Sequence, residues 1–235
     1  IRPAGGVFYR FSLNKHFALK TSVYYGNITA DDASSKDSFQ VNRNLSFQSE
    51  ILDVSEQIEF NFFPYETCNK KHPFSPYIFV GISLFKFNPK AYFTNPITNT
   101  RNLEELQPLG TEGQGTTAYP GRKEYALTQL SIPFGGGIKV TTGYFGFGLE
   151  LGARKTFTDY LDDVSGTYPD ITVLRAQNGE RAASLSDRSL SGDAKEGGLR
   201  GNPNDNDWYM FGGLTIYFKL DKPADKCKPF HQRYD

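Results

Sequence analysis

Leu127-Thr-Gln-Leu-Ser-Ile-Pro-Phe-Gly-Gly-Gly-Ile-Lys-Val140, followed after Thr142 and Gly143 by Tyr144-Phe-Gly-Phe-Gly-Leu-Glu-Leu-Gly-Ala-Arg-Lys-Thr-Phe-Thr158, decides the fold of this chain. In the first arm Leu130, Ile132, Phe134, Ile138 and Val140 fall on one side, and Gln129, Ser131, Gly135, Gly137 and Lys139 on the other. The second arm sets Phe145, Phe147, Leu149, Leu151, Ala153 and Phe157 against Gly146, Gly148, Glu150, Gly152, Arg154 and Thr156. A period of two marks a strand, so the stretch reads as a hairpin. A half-buried strand of a water-soluble sheet turns its polar side to solvent and gains nothing from a row of glycines, which weaken strands unless another group comes close. Glycines alternating with Glu150 and Arg154 suit a crowded, polar barrel interior, and the apolar face then meets lipid.

Composition points the same way. Among 235 residues there are 23 Gly, 20 Phe and 14 Tyr but a single Met and a single Trp, which favours one all-β unit. Lys+Arg and Asp+Glu are 26 each, so the balanced charge carries no footprint for nucleic acid. Mean hydropathy is −0.50, and no stretch approaches the roughly 20 apolar residues of a spanning helix. A helical membrane protein is thereby excluded. A β-barrel is not, because its spanning strands need only about 9–11 residues and half of those are polar. The chain opens on Ile1-Arg-Pro-Ala-Gly-Gly with neither an initiator Met nor a basic-then-apolar export signal, as expected after processing or truncation.

The same alternation recurs along the chain. It reads strands at Gly5 to Leu13, Phe17 to Asn27, Leu45 to Phe63, Tyr77 to Phe87 and Asp207 to Leu220, besides the two arms of the central hairpin. Tight turns alternate with long polar segments at Ile28 to Asn44, Asn88 to Tyr125 and Asp159 to Asn206, which read as loops. About seven strands are thus expected. Bacterial outer-membrane barrels have an even number, starting at eight, with short periplasmic turns and long external loops. The expectation is therefore an eight-stranded antiparallel transmembrane up-and-down β-barrel over residues 1–220 in the outer membrane, its first strand missing before Ile1. A strand overlooked inside a long loop is the alternative. Residues 221–235 form a charged periplasmic tail, so both termini lie on the periplasmic side.

An eight-stranded barrel is just wide enough for side chains to fill. The inward set places Arg10, Lys20, Lys139 and Arg154 against Asp53, Glu59 and Glu150, nearly balanced, as a buried polar lumen requires. These charges read as structural. Glu56 breaks the pattern by falling on the apolar face of its strand, so it calls for a protein neighbour, a local bulge or a position near the membrane interface.

Sites for chemistry are scarce. His16, His72 and His231 all fall in periplasmic turns or the tail, away from any external Ser or Asp that could complete a triad. No His/Cys/Asp cluster has ligand spacing, and no cofactor is expected. Asp159, Asp162 and Asp163 could converge on a calcium ion, but a solvated, hydrogen-bonded loop base is the simpler reading. Cys68 and Cys227 both fall on the oxidising periplasmic side, where they bridge each other, bond a partner or stay free. Lys70, Lys71 and His72 of a periplasmic turn, with Lys226 and Lys228 of the tail, are the candidate partner contacts.

Six segments carry a more specific resemblance: Phe60-Asn-Phe-Phe-Pro-Tyr65, Ser75-Pro-Tyr-Ile-Phe-Val-Gly81, Pro108-Leu-Gly-Thr-Glu-Gly-Gln-Gly115, Ile132-Pro-Phe-Gly-Gly-Gly-Ile-Lys139, Arg154-Lys-Thr-Phe-Thr-Asp-Tyr-Leu-Asp-Asp-Val-Ser165 and Asp207-Trp-Tyr-Met-Phe-Gly212. Over about Gly5 to Leu220 the chain resembles the PorG family, the small outer-membrane barrels of the Bacteroidota type IX secretion system. The resemblance implies a non-enzymatic anchor that contacts the periplasmic ring of the lipoprotein PorK and its partner PorN, in machinery that exports proteins and supports gliding motility in some members. It also implies a strand ahead of the Arg-Pro-Ala-Gly-Gly stretch, which this chain lacks. Two other classes compete. A passive channel or small-ligand barrel needs an open, unpaired lumen, and a lipid hydrolase or acyltransferase needs a Ser-His pair at the rim; the inward charges and the histidine positions disfavour them.

Overall fold

The computed structural model describes residues 2–67, 71–142, 144–192 and 194–220. Eight strands form one antiparallel sheet: β1 (Ala4–Ser12), β2 (Phe17–Asp31), β3 (Ser46–Asn61), β4 (Phe74–Thr94), β5 (Arg101–Glu105), β6 (Thr128–Thr142), β7 (Phe145–Thr156) and β8 (Trp208–Phe218). Their order is β1-β2-β3-β4-β6-β7-β8, an up-and-down meander, while β5 pairs only with the far half of β4. All seven strands read from the alternation are present. The extra strand β5 hangs off the meander, so it leaves the count along the main path odd.

The ladders run without a bulge through the centre of the sheet, and this fixes which side each residue takes. Lys20, Asp53, Gln57 and Glu59 are fully buried on the concave face. On the convex face Val7, Val80, Ile82, Leu214 and Ile216 are exposed, Leu214 by 85%. Polarity is inverted relative to a soluble domain, in which large contiguous apolar patches are rare. The sheet curls far enough for its two end strands to meet through side chains: Phe8 of β1 lies edge-on to Tyr217 of β8 at 6.0 Å, and Tyr24 of β2 stacks on Phe211 at 5.5 Å. Glycines on β6 and β7 make room inside this curl. A Cβ on Gly135 would come within 2.8 Å of the Phe79 ring, and one on Gly137 within 2.9 Å of the Tyr77 hydroxyl.

Strands β1 and β8 run the same way, since an even number of reversals separates them. They cannot join in the antiparallel ladder used everywhere else, and a cleft of about 160 Å³ lined by Ala4, Phe8, Tyr24, Glu150, Phe211 and Leu214 lies between them.

The two ends of the sheet differ. One carries the short connections between β1 and β2, β3 and β4, and β6 and β7; the other carries the three long ones. The long segments depart from the loops expected there. β2 continues to Asp31 and β4 to Thr94, and α1 (Ser38–Arg43) and α2 (Ile171–Ser186) form inside segments that lack any sustained period. Each helix starts on an aspartate cap: Asp37 accepts from the Phe39 amide, and Asp170 from those of Thr172 and Val173. α2 is broken at Gly179, whose φ of 89° and ψ of 174° interrupt the helix, so no single apolar stripe runs along it. Its second half packs Leu185 against Ala91, Phe93 and Leu106.

Candidate functional site

The concave face holds a layered charge network. At the short-turn end Glu59 is clasped by two cations, the Arg10 guanidinium at 2.8 Å and the Lys139 ammonium at 2.7 Å. One step along, Lys20 of β2 donates to both oxygens of Glu150 on β7, at 2.7 and 2.6 Å, and the Tyr77 hydroxyl donates to the same carboxylate at 2.6 Å. β2 and β7 are not neighbours in the sheet, so this contact crosses the cavity. Farther on, Asp53 accepts from Tyr209 at 2.7 Å and from Ser83 at 2.9 Å, with Arg154 3.8 Å away over the Phe211 ring. Arg10, Lys20, Asp53, Glu59, Lys139, Glu150 and Arg154 are thus brought together in one interior, each approached by an opposite charge. Pairs at this burial are costly to break singly.

The aromatic floor of the long-loop end lies above them: Ile51, Phe85, Phe87, Tyr125, Leu161 and Tyr209 pack into one core. On this floor the long segments build a cap with its own buried charges, which the reading of these segments as exposed loops overlooked. Glu112 accepts from the amides of Ser165 and Gly166 and from Arg200 at 3.1 Å. Arg200 also donates to the carbonyls of Asp163 and Ser186, and the Asp163 carboxylate accepts from Tyr125 at 2.7 Å and from Thr111. Arg43 at the end of α1 grips Asp32 through two bonds of 2.7 and 2.8 Å and reaches the Arg200 carbonyl. The local signals were the helix caps Asp37 and Asp170; nothing in one sequence told which distant charges would meet.

Asp159, Asp162 and Asp163 do not converge. Asp163 turns into the cap, Asp162 accepts from the Val164 amide, and one Asp159 oxygen has no hydrogen-bond partner. Among the described residues no acidic or histidine group is arranged to hold a metal ion. They are also no solvated loop base: burial pushes Asp159, Asp162 and Asp163 up to about 6 and, with Asp162 nearby, Asp207 up to about 7.

The remaining candidates sit at the short-turn end. Lys71 is exposed and His72 half-buried, in the connection between β3 and β4. His16 stacks on Phe60, its Nδ1 2.9 Å from the Asn61 carbonyl oxygen. Cys68, Cys227, Lys70, Lys226, Lys228 and His231 lie outside the described residues. Glu56 faces outward in an unbroken register, opposite Thr21 and Ile82, so of its three candidate explanations the local bulge is absent.

Residues 2–107 match the family model described as a domain of unknown function, DUF6089. The match spans β1 through β5 and stops before the cap residues Glu112, Asp163 and Arg200. No curated protein and no solved structure matches the chain.

Proposed function

We propose that this chain is an integral outer-membrane β-barrel that anchors a periplasmic ring of the type IX secretion and gliding machinery, and that it has no catalytic role. The inverted polarity carries the membrane part of the reading. A buried network of seven charged side chains inside an apolar, exposed outer wall is stable where the surroundings are lipid and unstable where they are water. The outward apolar run from Leu52 of β3 to Phe62, one residue past its end, spans eleven residues at about 3.3 Å each, and at a tilt near 40° this gives roughly the 25 Å belt of such barrels. An eighth strand, the one expected ahead of Ile1, running opposite to both β1 and β8 closes the barrel with antiparallel ladders on each side.

The ring-anchor part is supported by the quoted motifs. Three of them, around Glu112, Asp163 and Asp207, pack on one another in the cap, where Glu112 accepts from Ser165 and Asp207 accepts from the Leu161 amide at 2.9 Å. In this orientation the cap is external, and the short-turn end with Lys15, Lys71 and His72 faces the periplasm; Lys70, Lys226 and Lys228, outside the described residues, are proposed as further contacts. PorK and PorN are the proposed partners there. Crosslinking mass spectrometry on intact cells through these lysines tests it. Links to ring lipoproteins are the expected result; good internal links with none to the ring overturn the anchor and favour a small channel, checked by conductance in planar bilayers.

A further inference from the structure

Glu56 stands on the convex face amid apolar neighbours: Val54, Ile58 and Ile82 are all exposed around it. Its place in the ladder is regular, between Thr21 of β2 and Ile82 of β4, so no bulge turns it aside. It lies four residues from Leu52 and six from Phe62 in the apolar run, about 10 Å inside the belt, too deep for the interface to hydrate it. Of the three explanations the sequence left open, a protein neighbour remains. The Thr21 hydroxyl donates to Glu56 Oε2 at 2.5 Å, which fixes the carboxylate and leaves Oε1 without a hydrogen bond from the described residues. No cation among the described residues pairs with it.

We propose that the outer wall of β2, β3 and β4 around Glu56 docks a second integral outer-membrane protein, which presents a lysine or arginine to Oε1 at this depth. An ionisable group on a lipid-facing wall is unfavourable alone and becomes favourable when a partner supplies the opposite charge away from water. Charge complementarity selects the occupant. A second copy meeting about a two-fold axis would set carboxylate against carboxylate. The apolar residues flanking Glu56 supply the contact area, and the carboxylate supplies register. This inference rests on the outer-membrane reading.

The test uses the full chain in its native membrane, with a photoreactive amino acid at Val54 or Ile82 in turn and at Leu214 as a distant control. The expected result is one discrete heterologous protein adduct at Val54 and Ile82 and none at Leu214. Its yield falls at least about tenfold in Glu56→Lys and recovers when the basic residue of the captured protein is exchanged for glutamate. Glu56→Leu is the second variant: it removes an unfavourable group from the lipid face, so the barrel keeps its folded, heat-modifiable gel mobility while the adduct disappears. Lipid adducts alone, adducts to a second copy, or a protein adduct indifferent to Glu56 overturn the docking site and leave the membrane reading intact. Release of the chain by carbonate with no lipid adduct at any outward position overturns both.

Discussion

Lys20 and Glu150 meet across the interior from strands that share no ladder, and each is removed from water almost entirely. Removing one partner strands the other. Lys20→Met is expected to lower stability by about 3–5 kcal/mol, and Lys20→Met combined with Glu150→Gln to recover most of it, because the amide still accepts from Tyr77. Urea titration of the protein folded into lipid vesicles measures the cycle. At Gly137 the issue is space: a side chain there meets the Leu149 carbonyl and the Tyr77 ring, so Gly137→Val displaces Tyr77 from Glu150 and costs about 1–3 kcal/mol in the same titration. The seven interior charges were legible as inward residues because strand period alone assigns their side. Their pairing was not, since Lys20 and Glu150 are neighbours only after register and curl are both set. The buried cluster of Glu112, Asp163 and Arg200 was not legible: Asp163 read as a loop base or calcium ligand, and all three stand in aperiodic sequence that has the composition of solvated loops.

The strands were the readable elements, for each alternates over nearly its full length. What the alternation hid was their far ends. Asn88-Pro89 looks like a break, yet β4 runs through it to Thr94, with Ala91 and Phe93 turned inward under Leu106 and Leu185. α2 was hidden for a different reason, because its kink destroys the apolar stripe by which a helix is recognised. Gly179 holds that kink in a region of backbone space open essentially to glycine alone, while the space around it is empty. Gly179→Ala therefore acts through the backbone only. It is expected to destabilise α2 by about 1–3 kcal/mol, seen as faster amide exchange at Ala182 and Leu185 with little change in the strands.

For the whole molecule, the cap links stability to pH. Burial raises Asp159, Asp162, Asp163 and Asp207 from an ordinary value of 3.8 to about 6 or 7. In that window the folded cap binds protons that the unfolded chain does not, so stability gains as pH falls and is lost as pH rises through the folded values. Amides at Leu161, Val164 and Ser165, corrected for the intrinsic pH dependence of exchange, are expected to be better protected at about pH 5 than at about pH 8, and Asp207→Asn to flatten the difference.

The same cross-cavity contacts govern the order of events in folding. Every ladder of the meander joins strands that follow one another along its path, three across short turns and three across the long segments, whose closure cost grows only slowly with length. The bond between Lys20 and Glu150 joins residues 130 apart, and that between Asp53 and Tyr209 residues 156 apart. Neither can form until the growing ribbon has bent round on itself, and until then each strand carries an unmatched charge or hydroxyl on its inner side. Assembly is a local zipper finished by a remote latch, and the slow step belongs to the latch.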